Sequence, residues 1–496
     1  MLAGTTAFTI DGISARPVRV EVDVQRGLPT FQIVGLPDAA VREARERVRA
    51  ALVNCGYDFP LKRITANLAP ADLKKVGPGL DLALASALLG ASGEIPVGVI
   101  GEWAFAGELA LDGSLRPVRG ALAMAEAARA SGKAGIVLPP QNGAEAALAN
   151  GIDVRTIENV TELRQLSEGS FPGGRPVPLD LSGISALPDM CDLRGQGHFR
   201  RALEISAAGE HGLLVIGPPG AGKSLGARRI SSILPPLEPD EILEVARIAS
   251  VCGIGGGSIS AARPFRAPHH TVSAAGLVGG GSPPRPGEIT LAHRGVLFLD
   301  ELCEFRRSSL EALREPMETG EVNIVRANGR QTLPCRFTLV AAANPCPCGR
   351  GQEDPRCECT PMAIRRYGAI LSGALADRID ITLAVDQPGG QAMGGPPGEK
   401  SAAVRKRVMK AREIMTERYG EARTNSTASP TETASFEIDA EAIQVLADAH
   451  QQQRFSGRAH DRTLRVARTI ADLDGCAAIG VGQIGAAITM RRRETK

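Results

Sequence analysis

The chain has 496 residues, of which 43% are hydrophobic and 23% charged, and its formal net charge is +2. This length predicts about two to four domains, and the composition is typical of globular proteins and excludes disordered and fibrous classes. The first residues lack the features of a leader peptide, and no run of about 18 apolar residues occurs, so we expect a cytoplasmic protein without membrane contact. The ten cysteines should then be reduced unless they cluster. Because the net charge is small, any contact with nucleic acid requires a local basic patch.

Residues 1–168 form the first predicted domain, of α/β or α+β type. Apolar runs predict strands at Val18–Val22, Gln32–Val34 and Gly135–Leu138, and Ala-rich stretches predict helices at Ala39–Ala51, Leu82–Leu89 and Gly120–Ala130. The following segment is rich in Ser, Gly and Pro and has almost no periodicity. We therefore predict a linker over residues 169–190.

The second predicted domain, residues 191–388, contains the most specific motif of the chain. In LLVIGPPGAGKS an apolar strand runs into the pattern Gly217-x4-Gly222-Lys223-Ser224. In such a P-loop, backbone N–H groups, the lysine and the start of the next helix bind nucleotide phosphates, and the serine hydroxyl ligates Mg²⁺. All fixed positions occur in a strand–loop–helix context, which favours ATP and Mg²⁺ binding over an ordinary glycine-rich turn. The predicted nucleotide ligands are Gly217, Pro218, Pro219, Gly220, Ala221, Gly222, Lys223 and Ser224.

Two further apolar strands of this domain end in polar residues. The stretch GVLFLDEL ends in Asp300 and Glu301, and FTLVAAAN ends in Asn344. A carboxylate beside a P-loop can hold the metal ion, and a second one can polarise the attacking water. We therefore predict that Asp300 and Ser224 ligate Mg²⁺, that Glu301 activates water, and that Asn344 orients this water or senses the γ-phosphate.

The position of Asn344 resembles the sensor 1 position of AAA+ ATPases. The motifs LADRID and SGRAHDRTLRVAR supply Arg378, Arg458 and Arg462. In AAA+ proteins one such arginine reaches the nucleotide of the neighbouring subunit, and another, on a helical lid, contacts the γ-phosphate of its own subunit. We expect Arg378 and Arg458 in these roles, and the alternative for each is a surface ion pair. Residues 389–496 are predicted to be a linker followed by this helical lid.

The stretch EVNIVRANGRQTLPCRF lies between the strands that end in Asp300 and Asn344. Alternating apolar residues around an Asn-Gly pair predict a hairpin with a type I′ turn. MCM helicases and the magnesium chelatase ATPase subunit insert a presensor 1 hairpin at the corresponding point, and in the helicases it faces the ring pore. Arg326 and Arg330 are therefore candidate DNA contacts. The alternative is a plain connecting hairpin that covers the sheet edge.

Several longer motifs resemble the YifB/ComM family of magnesium-chelatase-like ATPases nearly end to end. They are RPFRAPHHTVS, LVGGG, PGEITLAHRGVLFLDELCEF, LREPMETGEVNIVRANG, ANPCPCG and TIADL. The resemblance implies a homo-hexameric ATPase, and for ComM itself a helicase that drives DNA branch migration during natural transformation. The name of the family does not imply porphyrin chemistry. A chelatase motor subunit and a chaperone-like remodeller without DNA affinity are the alternative functions.

The stretch GELALDGSLRPVRGALAMAEAARASGKAGIVLPPQNGAEA resembles the proteolytic domain of Lon and the matching domain of RadA, which have a ribosomal S5-like fold. Lon needs a serine nucleophile paired with a lysine. At the matching positions this chain has Asp81 and Val118, so we expect a non-proteolytic scaffold or a DNA-binding partner. The resemblances together imply an α/β multidomain protein with a ribosomal S5/Lon-protease-like N-terminal domain, an AAA+ P-loop α/β core and a C-terminal helical lid.

The stretch CPCGRGQEDPRCEC contains two C-x-C pairs, formed by Cys346, Cys348, Cys357 and Cys359. Four thiolates are able to close a tetrahedral Zn²⁺ site, and the alternative is an exposed loop of free thiols.

Three histidines and two basic runs are further candidates for ligand contact. His269, His270 and His293 suggest metal ligands, although adjacent histidines in a loop ordinarily make hydrogen bonds or contact nucleic acid. The basic runs at 405–412 and 491–493 are typical of a solvated helix face and a frayed tail, and they are secondary candidates for phosphate contact.

Overall fold

The structure, a computed structural model, describes residues 1–167, 187–254, 260–281, 285–326, 329–371, 375, 378–390, 394–453 and 455–491. The chain divides into two compact units, one formed by Met1–Asp180 with Pro239–Ser260 and the other by Leu181–Glu238 with Ala261–Lys496. Most of the predicted linker at 169–190 lies outside the described residues. Among the described helices, none is both long enough and apolar enough to cross a membrane.

The described part of the chain contains both strands and helices up to Ala384, and helices without strands from Ser401 onward. The strands are β1 (Leu2–Asp11), β2 (Ser14–Gln25), β3 (Thr30–Val34), β4 (Arg63–Ala69), β5 (Trp103–Phe105), β6 (Glu108–Leu109), β7 (Leu115–Arg116), β8 (Gly135–Leu138), β9 (Asp153–Thr156), β10 (Leu213–Ile216), β11 (Phe265–Arg266), β12 (Gly279–Gly280), β13 (Arg285–Pro286), β14 (Gly295–Leu299), β15 (Glu321–Arg326), β16 (Gly329–Pro334), β17 (Phe337–Ala343) and β18 (Ile381–Ala384). The α-helices are α1 (Ala39–Asn54), α2 (Asp81–Ser92), α3 (Val97–Glu102), α4 (Ala121–Ala130), α5 (Pro140–Ala146), α6 (Gly197–Gly209), α7 (Lys223–Arg229), α8 (Pro239–Cys252), α9 (Ala274–Val278), α10 (Glu288–Leu291), α11 (Arg307–Ala312), α12 (Arg314–Thr319), α13 (Pro361–Leu371), α14 (Ser401–Tyr419), α15 (Pro430–Ala434), α16 (Ala440–Gln453), α17 (Gly457–Asp474) and α18 (Val481–Thr489).

The first unit is built on a mixed sheet with the strand order β3-β4-β2-β1-β5-β8-β9. Strand β2 is antiparallel to β1 and β4, whereas the other neighbouring strands are parallel. Val18, Val20 and Val22 are buried on one face of β2, because alternate residues of a strand face the same side. Helix α2 consists mainly of Ala and Leu, and its residues from Asp81 to Ala91 are all buried. The strands and helices predicted for this part of the chain are thus present.

Helix α8 belongs to the first unit, although its residues follow the P-loop in the chain. The guanidinium of Arg247 donates two hydrogen bonds of 2.8 Å to the carboxylate of Glu126 on α4. The backbone N–H of Gly120 donates to the carbonyl oxygen of Ser250 at 3.0 Å. From sequence alone this helix is assigned to the ATPase domain, because it lies between Lys223 and Asp300. The structure groups it with the first unit because its partners are there.

The second unit contains a parallel sheet with the strand order β11-β14-β17-β10-β18. Every residue of β14 is buried, as expected for a parallel strand with both faces covered. Strand β17 lies between β14 and β10. Because parallel strands end at the same sheet edge, Gly217, Asp300 and Asn344, which each follow one of these strands, meet there.

The predicted hairpin is present as the antiparallel pair β15–β16, with a register from Glu321 opposite Pro334 to Arg326 opposite Gly329. Its tip, Ala327 and Asn328, lies outside the described residues, as does the predicted turn type.

The C-terminal part of the second unit is helical, as predicted, from α14 to α18. The basic run at 405–412 lies within α14, and its three arginines have partners inside the unit. Arg405 donates to the carbonyl oxygen of Ser232, Arg407 pairs with Glu204 and Glu399, and Arg412 pairs with Glu210. The interpretation as a solvated face is therefore wrong for these arginines, which pack the helix onto its neighbours. All but one residue of the run at 491–493 lies outside the described residues.

Candidate nucleotide site

The loop Gly217–Ser224 joins β10 to α7 in the strand–loop–helix arrangement that the sequence predicts. Gly220 and Gly222 have φ angles of 81° and 78°, in the left-handed region that favours glycine. At Gly217 a Cβ atom would lie 2.2 Å from the carbonyl oxygen of Val385. The backbone conformation and the neighbouring strand therefore both require glycine at these positions of the motif.

Two glutamine side chains brace this loop from outside the motif. The amide of Gln196 donates to the carbonyl oxygen of Ala221 at 2.7 Å, and the amide of Gln387 donates to that of Pro219 at 2.6 Å. Gln196 also donates to the carbonyl oxygen of Asp386 at 3.2 Å. No motif signals either glutamine, so sequence reasoning missed both.

Lys223 is almost buried, with 9% of its surface exposed. Its ammonium donates to the carbonyl oxygens of Gly217 at 2.5 Å and Pro218 at 3.0 Å, and to Oδ1 of Asn344 at 3.1 Å. Burial lowers the pKa of Lys223, and the charges of Asp300 and Glu301 partly oppose this effect. A phosphate group would offer this ammonium anionic acceptors in place of neutral ones, and such hydrogen bonds are stronger.

The two predicted Mg²⁺ ligands are in direct contact. The hydroxyl of Ser224 donates to Oδ2 of Asp300 at 2.6 Å, and Oδ1 of Asp300 accepts the backbone N–H of Glu301 at 3.0 Å. A hydroxyl and a carboxylate are hard oxygen donors of the kind that Mg²⁺ prefers, so the pair fits this ion.

Glu301 has a strained backbone and an unexpected neighbour. Its φ of 52° is left-handed, which costs a non-glycine residue about 1–2 kcal/mol. Its Oε2 lies 3.4 Å from Nδ1 of His270. The His270 ring lies 4.1 Å from that of His269 and meets Phe305 edge-on at 6.4 Å. The structure thus places His270 beside the predicted water-activating carboxylate.

The third histidine has a structural partner. His293 is buried, and its Nδ1 accepts the backbone N–H of Arg336 at 3.1 Å. This contact agrees with the hydrogen-bonding interpretation of the histidines.

Lys223, Ser224, Asp300, Glu301 and Asn344 are therefore brought together at one sheet edge. The two predicted catalytic arginines lie on other elements. The guanidinium of Arg378, which precedes β18, pairs with Glu318 at 2.6 Å, and Arg458 is exposed in the first turn of α17. Arg462 lies 3.5 Å from Asp380. The roles of Arg378 and Arg458 at a phosphate stay predictions.

On the hairpin, Arg330 is exposed and donates to Oδ1 of Asn323 on the opposite strand at 3.1 and 3.0 Å. The side chain of Arg326 lies outside the described residues. Contact of either arginine with DNA stays a prediction.

The four clustered cysteines come together in space. Their Sγ atoms all lie within 4.8 Å of one another, and all four are free of disulfides. A hydrogen bond from the backbone N–H of Arg350 and contacts with the other thiols lower the pKa of Cys348 to about 6. The cluster lies in the loop that follows Asn344.

In the first unit, Asp81 is fully buried and its carboxylate has three hydrogen-bond donors within the unit. It accepts hydrogen bonds of 2.7 and 2.9 Å from the guanidinium of Arg47, and a third of 3.2 Å from the backbone N–H of Leu109. Val118 exchanges two 2.8 Å hydrogen bonds through its backbone with the amide of Asn142. The residue predicted to match the Lon nucleophile thus belongs to an internal ion pair.

Sequence profiles of three families match successive parts of the chain. They are described as Magnesium chelatase, subunit ChlI, for residues 189–393, as Subunit ChlI of Mg-chelatase for 20–142, and as Magnesium chelatase, subunit ChlI C-terminal, for 398–491.

Related proteins match over nearly the whole length. The YifB protein of Escherichia coli is 44% identical over 469 residues, covering 93% of this chain and 92% of YifB. The competence protein ComM of Haemophilus influenzae is 41% identical over 473 residues, covering 94% of this chain and 92% of ComM. An uncharacterized protein of Mycobacterium tuberculosis is 43% identical over 494 residues, covering 98% of both chains. With its parallel P-loop sheet and helical C-terminal region, the chain belongs to the YifB/ComM family of magnesium-chelatase-like proteins, which indicates an AAA+ ATPase.

Proposed function

We propose that this protein is an ATP-dependent, hexameric DNA motor of the cytoplasm that promotes branch migration during recombination and natural transformation. The observation that carries the proposal is the assembly of a hydrolytic site at one sheet edge, with a hairpin bearing arginine between two of the strands that form it. Similarity to a protein named for competence supports the choice of DNA as substrate.

The residues at the sheet edge divide the hydrolysis of ATP among them. The P-loop backbone and Lys223 would bind the phosphates, and Ser224 and Asp300 would hold Mg²⁺, which would neutralise charge on the phosphate oxygens. Glu301 takes the proton of the attacking water. Asn344 aligns that water with the γ-phosphate. Its Oδ1 accepts a hydrogen bond of 3.1 Å from the ammonium of Lys223.

The hairpin β15–β16 would be the element that moves DNA. It is joined through α11 and α12 to the strand that ends before Asp300, and it continues into the strand that ends before Asn344. We propose that a change at either residue on hydrolysis moves β15–β16 through these connections. Arg330, together with Arg326, would grip DNA phosphates, and this interaction is electrostatic and independent of sequence.

Assembly into a ring would complete the site. Arg378 would act in trans on the nucleotide of a neighbouring subunit, and arginine fingers of this kind contribute about 10³- to 10⁵-fold in rate in GTPases. Arg458, on the first turn of α17, would contact the γ-phosphate of its own subunit. If Arg378 acts in trans, Arg378→Ala subunits mixed with wild-type protein should reduce ATPase activity by more than their share. A strictly proportional loss would remove Arg378 from this role.

We assign the first unit a supporting function as a Lon-like domain without proteolysis. This assignment is supported by the internal ion pair of Asp81, because a carboxylate neutralised by Arg47 is not a nucleophile of the serine–lysine type. Turnover of casein in the presence of ATP would contradict it.

ATP-dependent branch migration on a three-strand junction tests the proposal. The test variant replaces Arg326 and Arg330 with alanine, and the control replaces Arg365 and Arg366, two exposed arginines of α13. We expect the hairpin variant to form hexamers and keep its basal ATPase but to lose branch migration and DNA-stimulated ATPase. The slope of log affinity for DNA against log salt concentration should become shallower by about one for each phosphate that the variant no longer neutralises. Migration at the wild-type rate would place the DNA path elsewhere.

The family profiles favour one second candidate, a chelatase-like or chaperone-like remodelling ATPase that acts on a protein partner. A gel shift on forked and linear DNA separates the two functions. Absence of binding to both DNAs, with ATPase unchanged by DNA, would favour remodelling.

A further inference from the structure

The cysteine cluster begins immediately after the sensor residue, in the order Asn344, Pro345, Cys346. Cys346 is fully buried, Cys348 is exposed, and Cys357 and Cys359 are half-buried. Residues 345–360 include no Val, Leu, Ile, Met or aromatic residue. This loop therefore has no apolar side chains of the size that normally hold a loop in place, and a cross-link is a common substitute in such segments.

The distances between the thiols fit one metal ion. Sγ of Cys346 lies 3.3 Å from that of Cys348 and 3.8 Å from that of Cys357, and Cys348 and Cys357 are 3.6 Å apart. Four thiolates at about 2.3 Å from a tetrahedral Zn²⁺ are about 3.8 Å from each other. Four soft sulfur ligands in this arrangement select zinc over the hard cations Mg²⁺ and Ca²⁺.

The backbone of the loop is built around the first cysteine. Gly349 and Gly351 have φ angles of 84° and 89°, which turn the chain back on itself. The N–H of Gly349 donates to the carbonyl oxygen of Cys346 at 2.9 Å, and the N–H of Gly351 donates to its sulfur at 3.2 Å. A donor aimed at the sulfur stabilises its thiolate form, as is usual for metal-bound cysteines.

The same loop lies against the phosphate-binding loop. A Cβ atom on Gly349 would be 2.9 Å from two ring carbons of Pro219 and 3.9 Å from Cγ of Asn344. The cluster is thus joined by the chain to Asn344 on one side and touches the P-loop on the other.

We propose that Cys346, Cys348, Cys357 and Cys359 bind one Zn²⁺ as thiolates, and that this ion holds the loop against Pro219 and so positions Asn344 for hydrolysis. The site is closed, with four protein ligands, so the metal is structural and takes no part in the reaction. Zinc binding is independent of the proposed function, whereas the positioning of Asn344 rests on the ATPase part of it.

Metal content is the first measurement. Elemental analysis of the full chain should give about one zinc per chain, and cobalt-substituted protein should show the absorption of a tetrahedral thiolate complex. Cys348→Ser, at the exposed ligand, and Cys346→Ser, at the buried one, should lose most of the metal. Cys476→Ser, an exposed thiol outside the cluster, should keep it. Metal-free wild-type protein would overturn the proposal.

Gly349→Ala separates metal binding from positioning, because it leaves the four thiols in place but inserts a methyl group against Pro219. We expect this variant to retain zinc but to lose turnover by about tenfold or more, with ATP affinity changed much less. Gly351→Ala is the control, since it imposes a similar left-handed strain in the same loop, at a φ of 89°, but its Cβ meets only Pro345, at 3.4 Å.

Removal of zinc from the wild-type protein should lower turnover by about 10²-fold, the usual effect of losing one well-placed hydrogen-bond donor at a transition state. Added zinc should restore it. Unchanged turnover without zinc would overturn the positioning role. A protein that binds zinc but never hydrolyses ATP would instead refute the proposed function and leave the zinc site in place.

Discussion

Two helices of this chain begin with a buried charged residue after a loop that contains Gly and Pro, and they use that charge in opposite ways. Helix α2 starts at Asp81 and helix α7 at Lys223. Asp81 is bound by the guanidinium of Arg47, so its charge is neutralised within the unit. Lys223 donates its hydrogen bonds to neutral oxygens of Gly217, Pro218 and Asn344. Asp81 therefore has a hydrogen-bonded counter-ion inside the protein. A bound anion would give Lys223 a charged acceptor in place of neutral ones.

A Gly- and Pro-containing loop followed by a helix therefore does not by itself identify a binding site. A buried charge with an internal counter-ion contributes to structure, and its pair is costly to break. A buried charge whose partners are neutral is a candidate for ligand binding, and strongly perturbed groups of this kind are concentrated at functional sites. Burial disfavours the charged form of both groups, because it raises the pKa of Asp81 and lowers the pKa of Lys223, so the distinction rests on their hydrogen-bond partners.

Glu301→Gln, in the site around Lys223, should reduce turnover more than the other substitutions. Loss of the base should reduce turnover by about 10²- to 10⁴-fold while ATP still binds, because the amide keeps the shape of the side chain but does not take a proton. Steady-state ATPase and equilibrium binding of a fluorescent ATP analogue would be measured together. Glu311→Gln, an exposed glutamate paired with Arg307, is the control. Ordinary turnover in Glu301→Gln would refute its role.

Asp81→Ala tests the structural role of the carboxylate at the start of α2. Removal of the carboxylate leaves Arg47 with one-fifth of its side chain exposed and without its main partner. The free energy of unfolding of the first unit should fall by about 2–4 kcal/mol, somewhat less than for a fully buried pair. Urea denaturation would be compared with that of Asp58→Ala, which removes an exposed carboxylate. ATP affinity should stay within about twofold, and a large decrease in affinity would contradict the structural role of Asp81.

Lys223→Ala provides the opposite pattern. ATP affinity should fall by about 10²- to 10³-fold, because a buried, charge-assisted hydrogen bond to phosphate is removed. The free energy of unfolding without nucleotide should change by less than about 1 kcal/mol, because the cost of burying the ammonium, which lowers the pKa of Lys223, offsets the hydrogen bonds that it donates. Calorimetric titration and denaturation would measure the two quantities, with Lys406→Ala on α14 as the control. Strong destabilisation of the ligand-free protein would show that Lys223 has a structural role like that of Asp81.

The smallest effect is expected for His270→Ala. The contact between His270 and Glu301 is 3.4 Å long and partly exposed, so its removal should lower turnover by no more than about fivefold with KM unchanged. The effect should vanish in the Glu301→Gln background, as a double-mutant cycle would reveal. An equal decrease in both backgrounds would mean that His270 does not act through Glu301.

The sequence predicts most of the nucleotide site around Lys223, because each of its motifs is a local stretch of sequence. The P-loop, the strand before Asp300 and the strand before Asn344 are each recognised from a continuous stretch, and parallel pairing then brings their ends together. The predicted hairpin is confirmed for the same reason, since both strands and the turn are adjacent in the chain.

The remaining features depend on partners that are distant in sequence. Tertiary packing sets the contact of Arg47 with Asp81, the contact of Gln387 with Pro219, and the position of α8 beside α4. None of these has a periodic pattern or a motif in the sequence. The sequence identifies His270 as a candidate but does not indicate that Glu301 is its neighbour, because the loop between β11 and α9 has no regular pattern from which to derive the contact.

The ATPase rate of the wild-type protein with and without forked DNA would show whether the site around Lys223 drives a DNA motor. The Glu301→Gln variant at equal subunit concentration sets the background. We predict a wild-type rate at least about 10²-fold above that background, which forked DNA increases further. A wild-type rate equal to that of Glu301→Gln, or a wild-type rate that forked DNA leaves unchanged, would contradict this role.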